Sequence, residues 1–278
     1  MTTMFTPVIP QTFRSQVGWA IRDTWVITCR DLAHWRQQPG AVIANTLVFP
    51  VMIVLMFGYL LGGAMTVPGG SDYRDFLMPG MFAMTMVFGI GATLSAVSAD
   101  AARGVTDRFR SLPIAAPAVI AGRAAADMLN SAIALTVLTG CGFLTGWHPH
   151  LGTARAIAAL GLLLLLRFAL VWIGVYLGLR FYLNPEAITA VRTLEFPIGF
   201  LGNPFVAIST MPAWLGVIAL WNPLSSTVTA ARQLFGDPTG ANSSWITSHA
   251  MIMAVAWPLL LTAVFFPLSL HCYRQLSR

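Results

Sequence analysis

An all-α integral membrane protein is the fold class this sequence predicts, and three observations predict it. The 278 residues are 56% hydrophobic and only 9% charged, where a soluble domain carries about 25% charged residues. The charges leave long neutral intervals, several matching the roughly 20 helical residues that cross about 30 Å of hydrocarbon. These intervals lack the alternating polarity of barrel strands, so helices, which satisfy their own backbone groups in lipid, are the expected solution.

Six spans are expected. The first runs over Ala41–Leu61, the second over Phe76–Ser98, the third over Met128–Trp147 and the fourth over Ala156–Leu179, interrupted by Arg167. The fifth starts near Phe196 and the sixth covers Trp245–Leu270. The connections differ in charge. Twelve of the 16 cations, all of them Arg, fall on one side: those before the first span, Arg103, Arg108, Arg110, Arg123, Arg180, Arg192, Arg274 and Arg278. Arg74, Arg155 and Arg232 fall on the other. Cations near span ends are retained in the cytoplasm, so both termini are expected there, in a multi-pass protein of the plasma membrane.

Residues 1–40 are expected to form a cytoplasmic N-terminus, 41–270 a six-helix transmembrane domain and 271–278 a cytoplasmic tail. Between Gln11 and Gln38, Phe13, Val17, Ile21, Trp25, Leu32 and Trp35 recur on one side of a helix, with Arg22 and Arg30 towards the other. Such a helix lies along lipid headgroups, or docks a partner subunit. Residues 1–40 hold no apolar run resembling a cleavable signal, which makes the first span an uncleaved anchor.

No enzyme signature emerges. The chain has no Lys, so it cannot supply the phosphate-cradling loop that needs one; no cofactor is expected in this chain. HExxH and GxSxG are absent, and His148 and His150 flank Pro149 in a short loop without further ligands, so no metal is expected. Cys29, Cys141 and Cys272 lie too far apart in sequence to suggest a metal knuckle or a disulfide framework. The +6 net charge is scattered between apolar blocks, unlike a nucleic-acid surface. Asp23, Asp31, Asp100, Asp107, Glu186 and Glu195 sit in cytoplasmic connections or at span ends, whereas an ion-coupled carrier tends to bury acids mid-membrane.

Arg167 is the exception, an ionisable side chain within a span. Facing lipid it would cost about 2.5–3.5 kcal/mol, so it should face the bundle or a wet cavity. It either contacts water or substrate, or pairs with a neighbouring helix or snorkels to a headgroup; the second reading is favoured.

Two connections stand out. In Asp100–Asp127 (DAARGVTDRFRSLPIAAPAVIAGRAAAD), Asp107, Arg108, Phe109 and Arg110 crowd a short segment that Pro113 must end, suited to a groove on a soluble partner. The 36 uncharged residues from Phe196 to Ala231 exceed one crossing but carry Pro197, Pro204, Pro212 and Pro223. A shortened fifth span ending near Ile208 is expected, followed by re-entrant external helices over Met211–Leu220 and Leu224–Phe235, with Met211, Trp214 and Trp221 in an external gate.

Three stretches together resemble the membrane subunit of type-2 ABC exporters, nearest the daunorubicin/doxorubicin-resistance branch: DRFRSLPIAAPAVIAGRAAADML from Asp107, LNPEAITAVRTLEFPIGFLGNPFVAISTMPAWL from Leu183 and WNPLSSTVTAARQLFGDP from Trp221. The resemblance implies a permease half that pairs with a second half, as homodimer or heterodimer, and with two ATP-binding subunits that hold ATP and Mg. It implies that Asp107, Arg108, Phe109 and Arg110 contact the ATPase, and that spans two and five line the route. Met84, Met86 and Phe88, with Phe196, Phe200, Asn203 and Phe205, are the candidate lining residues; Met and Phe suit amphipathic cargo of variable shape. Asn203 and Pro204 stand where many relatives carry small hydroxyl residues. The expected activity is outward movement of hydrophobic or amphipathic compounds, with a glycolipid or lipid-linked intermediate as the alternative cargo. An intramembrane enzyme and an ion-coupled carrier are the competing classes.

Overall fold

The structure is a computed structural model that describes residues 73–104, 116–239 and 244–275, together with positions 22, 25, 28, 29, 40, 48, 51, 52, 55 and 56. The described residues are helical throughout, with connecting turns. Helix α1 (Tyr73–Ala102) starts with Asp75 in its first turn, where the amide ends of the helix favour an anion. It stops at Gly104, whose φ of 65° only glycine adopts without strain. Helix α2 (Ala116–Leu144) ends in a Schellman pair: Trp147 N–H reaches the Gly142 carbonyl at 3.0 Å, Gly146 N–H reaches that of Phe143 at 3.2 Å, and Gly146 turns left-handed.

Helix α3 (Thr153–Arg180) closes with Arg180 against the carbonyl end of its dipole. Asn184 caps α4 (Pro185–Phe200) by accepting from Ala187 N–H. A 3-10 turn (Ile208–Thr210) and a nine-residue helix, α5 (Ala213–Trp221), follow. Asn222 then caps α6 (Pro223–Phe235), which Gly236 ends at φ 83°. Ser244 opens the short α7 (Trp245–Ser248), and α8 (Ala250–Gln275) is the last described helix.

Helix α3 is the central post, with α1 on one side and α8 on the other. Small residues let the backbones close: a methyl group on Gly174 would lie 2.8 Å from Thr93 Cβ, and one on Gly178 would lie 2.9 Å from the Leu94 carbonyl. Close packing substitutes here for a hydrophobic drive that lipid does not supply. The main core gathers α1, α2, α3 and α6 around Phe82, Trp147 and Phe235, whose rings meet edge to face with centroids 5.0–6.1 Å apart.

Four described helices, α1, α2, α3 and α8, are long and apolar enough to cross a membrane, which makes the chain a multi-pass membrane protein. They cover the expected second, third, fourth and sixth spans. The expected first span, Ala41–Leu61, and most of the N-terminal amphipathic helix lie outside the described residues. The expected six-span count is corrected at the fifth span. The helix there begins at Pro185, eleven residues early, carries Glu186, Arg192 and Glu195, and ends at Phe200 after only 16 residues. Pro197 removes an amide near its end, and Gly202 and Pro204 do not rebuild the helix.

The expected re-entrant pair is corrected as well. Two short helices do follow, but α6 does not dip into lipid. It is a polar helix packed among α1, α3 and α8, with Ser225, Ser226, Thr227, Thr229 and Arg232 all buried in protein.

Candidate translocation seam and its charge cluster

Helix α4 lies along α1, and the seam between them is lined with aromatic rings. Phe88 of α1 stacks on Phe196 of α4 (centroids 5.9 Å, planes 12° apart). Phe196 meets Phe200 at 4.5 Å, and Phe200 stacks on Phe205 at 4.4 Å. The spacing of 196 and 200, one helical turn, puts both rings on one face of α4. Phe196 remains 49% exposed, so the ladder opens outward. Met84 enters from α1 into the space that Gly199 leaves: a methyl group there would sit 2.7 Å from its sulfur. Met86 is fully enclosed in the bundle.

Behind the seam lies a charge cluster. Arg167 of α3 is 2% exposed and donates from Nε to Ser131 Oγ (2.9 Å) on α2 and from Nη2 to Thr93 Oγ1 (2.8 Å) on α1. Its ion pair with Asp127 is long, Nη2 to Oδ2 3.9 Å, so Thr93 mediates it. The single Thr93 hydroxyl proton has two acceptors in reach, Asp127 Oδ2 at 2.6 Å and the Gly89 carbonyl at 3.0 Å. The shorter, charge-assisted contact takes it. Arg123, one turn before Asp127, pairs with the other carboxylate oxygen at 3.3 Å. Glu195 of α4 approaches α1 two residues from Gly89, accepting from Gly91 N–H at 2.6 Å.

A second buried guanidinium closes the far end of the seam. Arg232 is wholly buried on α6, donates to the carbonyls of Phe76 (3.0 Å), Asn203 (3.0 Å) and Pro204 (3.1 Å), and lies 3.5 Å over the Phe76 ring. It thereby pins the non-helical stretch after α4. The same stretch is held by Ser225, which accepts from Asn203 N–H (3.1 Å), by Thr229, which accepts from the Asn203 amide (2.9 Å), and by Tyr73, which donates to the Phe205 carbonyl (3.1 Å). Asp237, just past α6, accepts from Trp147 Nε1 at 3.0 Å, with His150 Nδ1 3.4 Å from its other oxygen. Burial pushes the Asp237 carboxyl up to about 6, against the Trp147 hydrogen bond, which lowers it.

Of the expected site residues, the structure brings Met84, Phe88, Phe196, Phe200 and Phe205 together along one seam. Asn203 is 2% exposed and spends its amide within the protein, and Met86 faces the core. Met211 is half-buried, while Trp214 and Trp221 are exposed on α5. Asp107, Arg108, Phe109 and Arg110 lie outside the described residues. Arg167 faces the bundle, as its desolvation cost requires. Its counter-charges, Asp127 and Glu195, are not among the expected site residues. Asp127 sits one residue before the expected third span, and Glu195 one before the expected fifth, so both look like boundary charges in the sequence. The Thr93 and Ser131 hydroxyls and the Gly89/Gly91 pair are the signals that could have drawn attention to them. The His148 and His150 rings go separate ways: His148 Nδ1 lies 2.9 Å from the Gly146 carbonyl, and no cluster of three or more metal-ligating side chains exists among the described residues.

Residues 22–235 match the ABC-2 type transporter family. The chain is 31% identical over 257 residues to the daunorubicin resistance ABC transporter permease protein DrrB1 of Streptomyces coeruleorubidus, covering 92% of this chain and 87% of that protein. It is 23% identical over 240 residues to ycf38 of Cyanophora paradoxa, a protein named as a transport permease, covering 83% of this chain and 78% of the other. A bundle of long apolar helices, devoid of Lys and so of a phosphate loop, agrees with a subunit that forms a path and leaves nucleotide chemistry elsewhere. The chain belongs to the ABC-2 type transporter family and is a membrane permease subunit of that family.

Proposed function

We propose that this permease moves hydrophobic or amphipathic compounds, of the drug or antibiotic kind named for its Streptomyces relative, outward across the plasma membrane along the α1–α4 seam. The observation that carries the reading is the ladder Phe88–Phe196–Phe200–Phe205, whose exposed end offers apolar faces without directional bonds. Met84 adds a deformable wall, Asn203 and Arg167 shape the route from behind, and Met86 backs it from the core. Met211, Trp214 and Trp221 cap its external end.

Two permease halves enclose the route, either two copies of this chain or this chain and a homologue, within the membrane lipid. Two ATPase subunits bind ATP and Mg and supply the work. Asp107, Arg108, Phe109 and Arg110 carry their motion into the membrane domain formed by residues 41–270. Residues 1–40 and 271–278 then lie in the cytoplasm, as the Arg distribution favours.

The test is ATP-driven uptake of a fluorescent amphipathic drug into inverted vesicles holding the permease and its ATPase. Vanadate-sensitive uptake is expected, lowered at least tenfold by Phe196→Ala with Phe200→Ala, and abolished by Arg108→Ala with Arg110→Ala through loss of ATPase association. Uptake that follows a proton or sodium gradient and ignores ATP would overturn the reading.

A further inference from the structure

Gly89 and Gly91 of α1 are two residues apart, about 200° around a helix, so they open gaps on opposite flanks. Each gap is filled by a charge from a different helix. A methyl group on Gly89 would fall 2.5 Å from Arg167 Cζ and 2.6 Å from its Nη1; one on Gly91 would fall 2.5 Å from Glu195 Oε2. Neither side chain could take its position against an alanine. Arg167, on α3, is fastened to α2 by Ser131 and Asp127 and to α1 by Thr93, while its Nη1, buried, has no hydrogen-bond partner. Glu195 reaches across the seam and places Oε1 2.6 Å from the Gly91 N–H, an amide that a regular helix already directs at its own preceding turn.

Elsewhere along the α1–α4 seam lie stacked rings and Met84 against Gly199, apolar contacts that repack more readily than a charge-assisted hydrogen bond. The far end of α4 is tied by Asn222, which donates to the Leu201 carbonyl at 3.1 Å. The carboxylate–amide bond therefore adds a fixed register to a seam whose apolar contacts repack more readily.

We propose that Glu195 is a positioning residue that fastens α4 to the midpoint of α1 at the Gly89–Gly91 notch, with Arg167 anchoring the opposite flank of the same notch. In a transport cycle the fastening transmits movement between α1 and α4, so that the seam opens as a unit. This shares its helices with the proposed route but does not require cargo to pass there.

The test uses the permease co-expressed with its ATPase, carrying Phe88→Cys and Phe196→Cys, with Cys29, Cys141 and Cys272 replaced by Ser. A short thiol cross-linker reports the seam, with yields normalised to complex recovered through the ATPase. Glu195→Met, which keeps the length but offers the Gly91 N–H no oxygen, should lower the cross-linking yield at least threefold. Gly91→Ala, which leaves the charge intact and removes only its seat, should do the same, and the double variant should be no worse than the more severe single. With native Phe88 and Phe196, Glu195→Met should keep ATP hydrolysis within twofold while cargo moved per ATP falls at least tenfold. Parental cross-linking in Gly91→Ala, multiplying effects in the double variant, or hydrolysis and transport falling in parallel would each overturn the assignment. Failure of the parent to move cargo with ATP would count against the proposed export and leave the cross-linking result to decide this inference.

Discussion

Thr93 links Arg167 to Asp127, accepting from the guanidinium at 2.8 Å and donating to the carboxylate at 2.6 Å, so a pair too far apart for a good direct bond is joined by one hydroxyl. The two charges are not equally provided for. Asp127 keeps Arg123 if Arg167 is removed, whereas Arg167 loses its nearest carboxylate if Asp127 is removed. Asp127→Leu should therefore cost roughly 3–5 kcal/mol, more than Arg167→Leu, because it takes the one ion-paired carboxylate from a buried cation and leaves it only the more distant Glu195. Thr93→Val, which keeps the shape, should cost about 1–3 kcal/mol, and Thr93→Ser much less. Thermal unfolding of the detergent-solubilised permease checks the order; Arg167→Leu proving the most damaging would refute it.

Arg232 fixes three carbonyls from two elements with a planar fork. A lysine there keeps the charge but offers one point, so it cannot span Phe76 together with Asn203 and Pro204. Arg232→Lys should lower stability by about 2–4 kcal/mol, the scale of a buried charge left partly unpaired. Limited proteolysis within residues 201–207 should rise in parallel. A lysine variant with parental melting temperature and cleavage would show that the carbonyl cage is dispensable.

Gly80 faces the Pro204 carbonyl so closely that a methyl group could not fit without moving backbone. Gly80→Ala should displace the stretch after α4 and cost about 1–3 kcal/mol as overpacking. Pairing it with Arg232→Lys should give a loss smaller than the two singles combined, since both loosen the same segment. Strict additivity in the melting temperatures would argue that they act on separate structures.

Much of the membrane architecture is legible in neutral run length alone, because the cost of exposing a charge to lipid is large and uniform along a helix. α1, α3 and α8 lie where that cost puts them, within about five residues, whereas α2 starts 12 residues before the expected Met128 and takes Arg123 and Asp127 into the helix. The same rule fails at the expected fifth crossing: the described helix there, α4, is short and carries Glu186, Arg192 and Glu195, which reads as a loop, yet Glu195 finds an amide seat on α1. Run length also cannot distinguish lipid from protein as the apolar surroundings. The polar α6 is buried by its neighbours, and Ser225, Thr229 and Arg232 have partners more than 20 residues away in sequence. The aromatic seam follows from one-turn spacing on α4, but its meeting with Phe88 is a tertiary fact.

Asp237 gives a pH prediction with a definite sign. Burial raises its carboxyl to about 6, above the roughly 3.9 of an unfolded aspartate, so between these values the native state holds more proton than the unfolded one. Stability contributed by this group is therefore greatest in acid and falls as pH rises through that window, flattening above about 6. Asp75 nearby adds to the shift; Trp147 and His150 oppose it. Asp237→Asn removes the titration while leaving an oxygen for Trp147 Nε1. The melting temperature of the parent minus that of Asp237→Asn should decline from pH 4 to pH 6 and stay level from 6.5 to 8. Taking the difference cancels the carboxylates that do not interact with Asp237, and repeating it in an Asp75→Asn, His150→Gln background keeps those two neighbouring charges out of the comparison. A difference that climbs with pH over the same interval would mean that Asp237 is stabilised as an anion, and the desolvation argument for this end of α6 would fail.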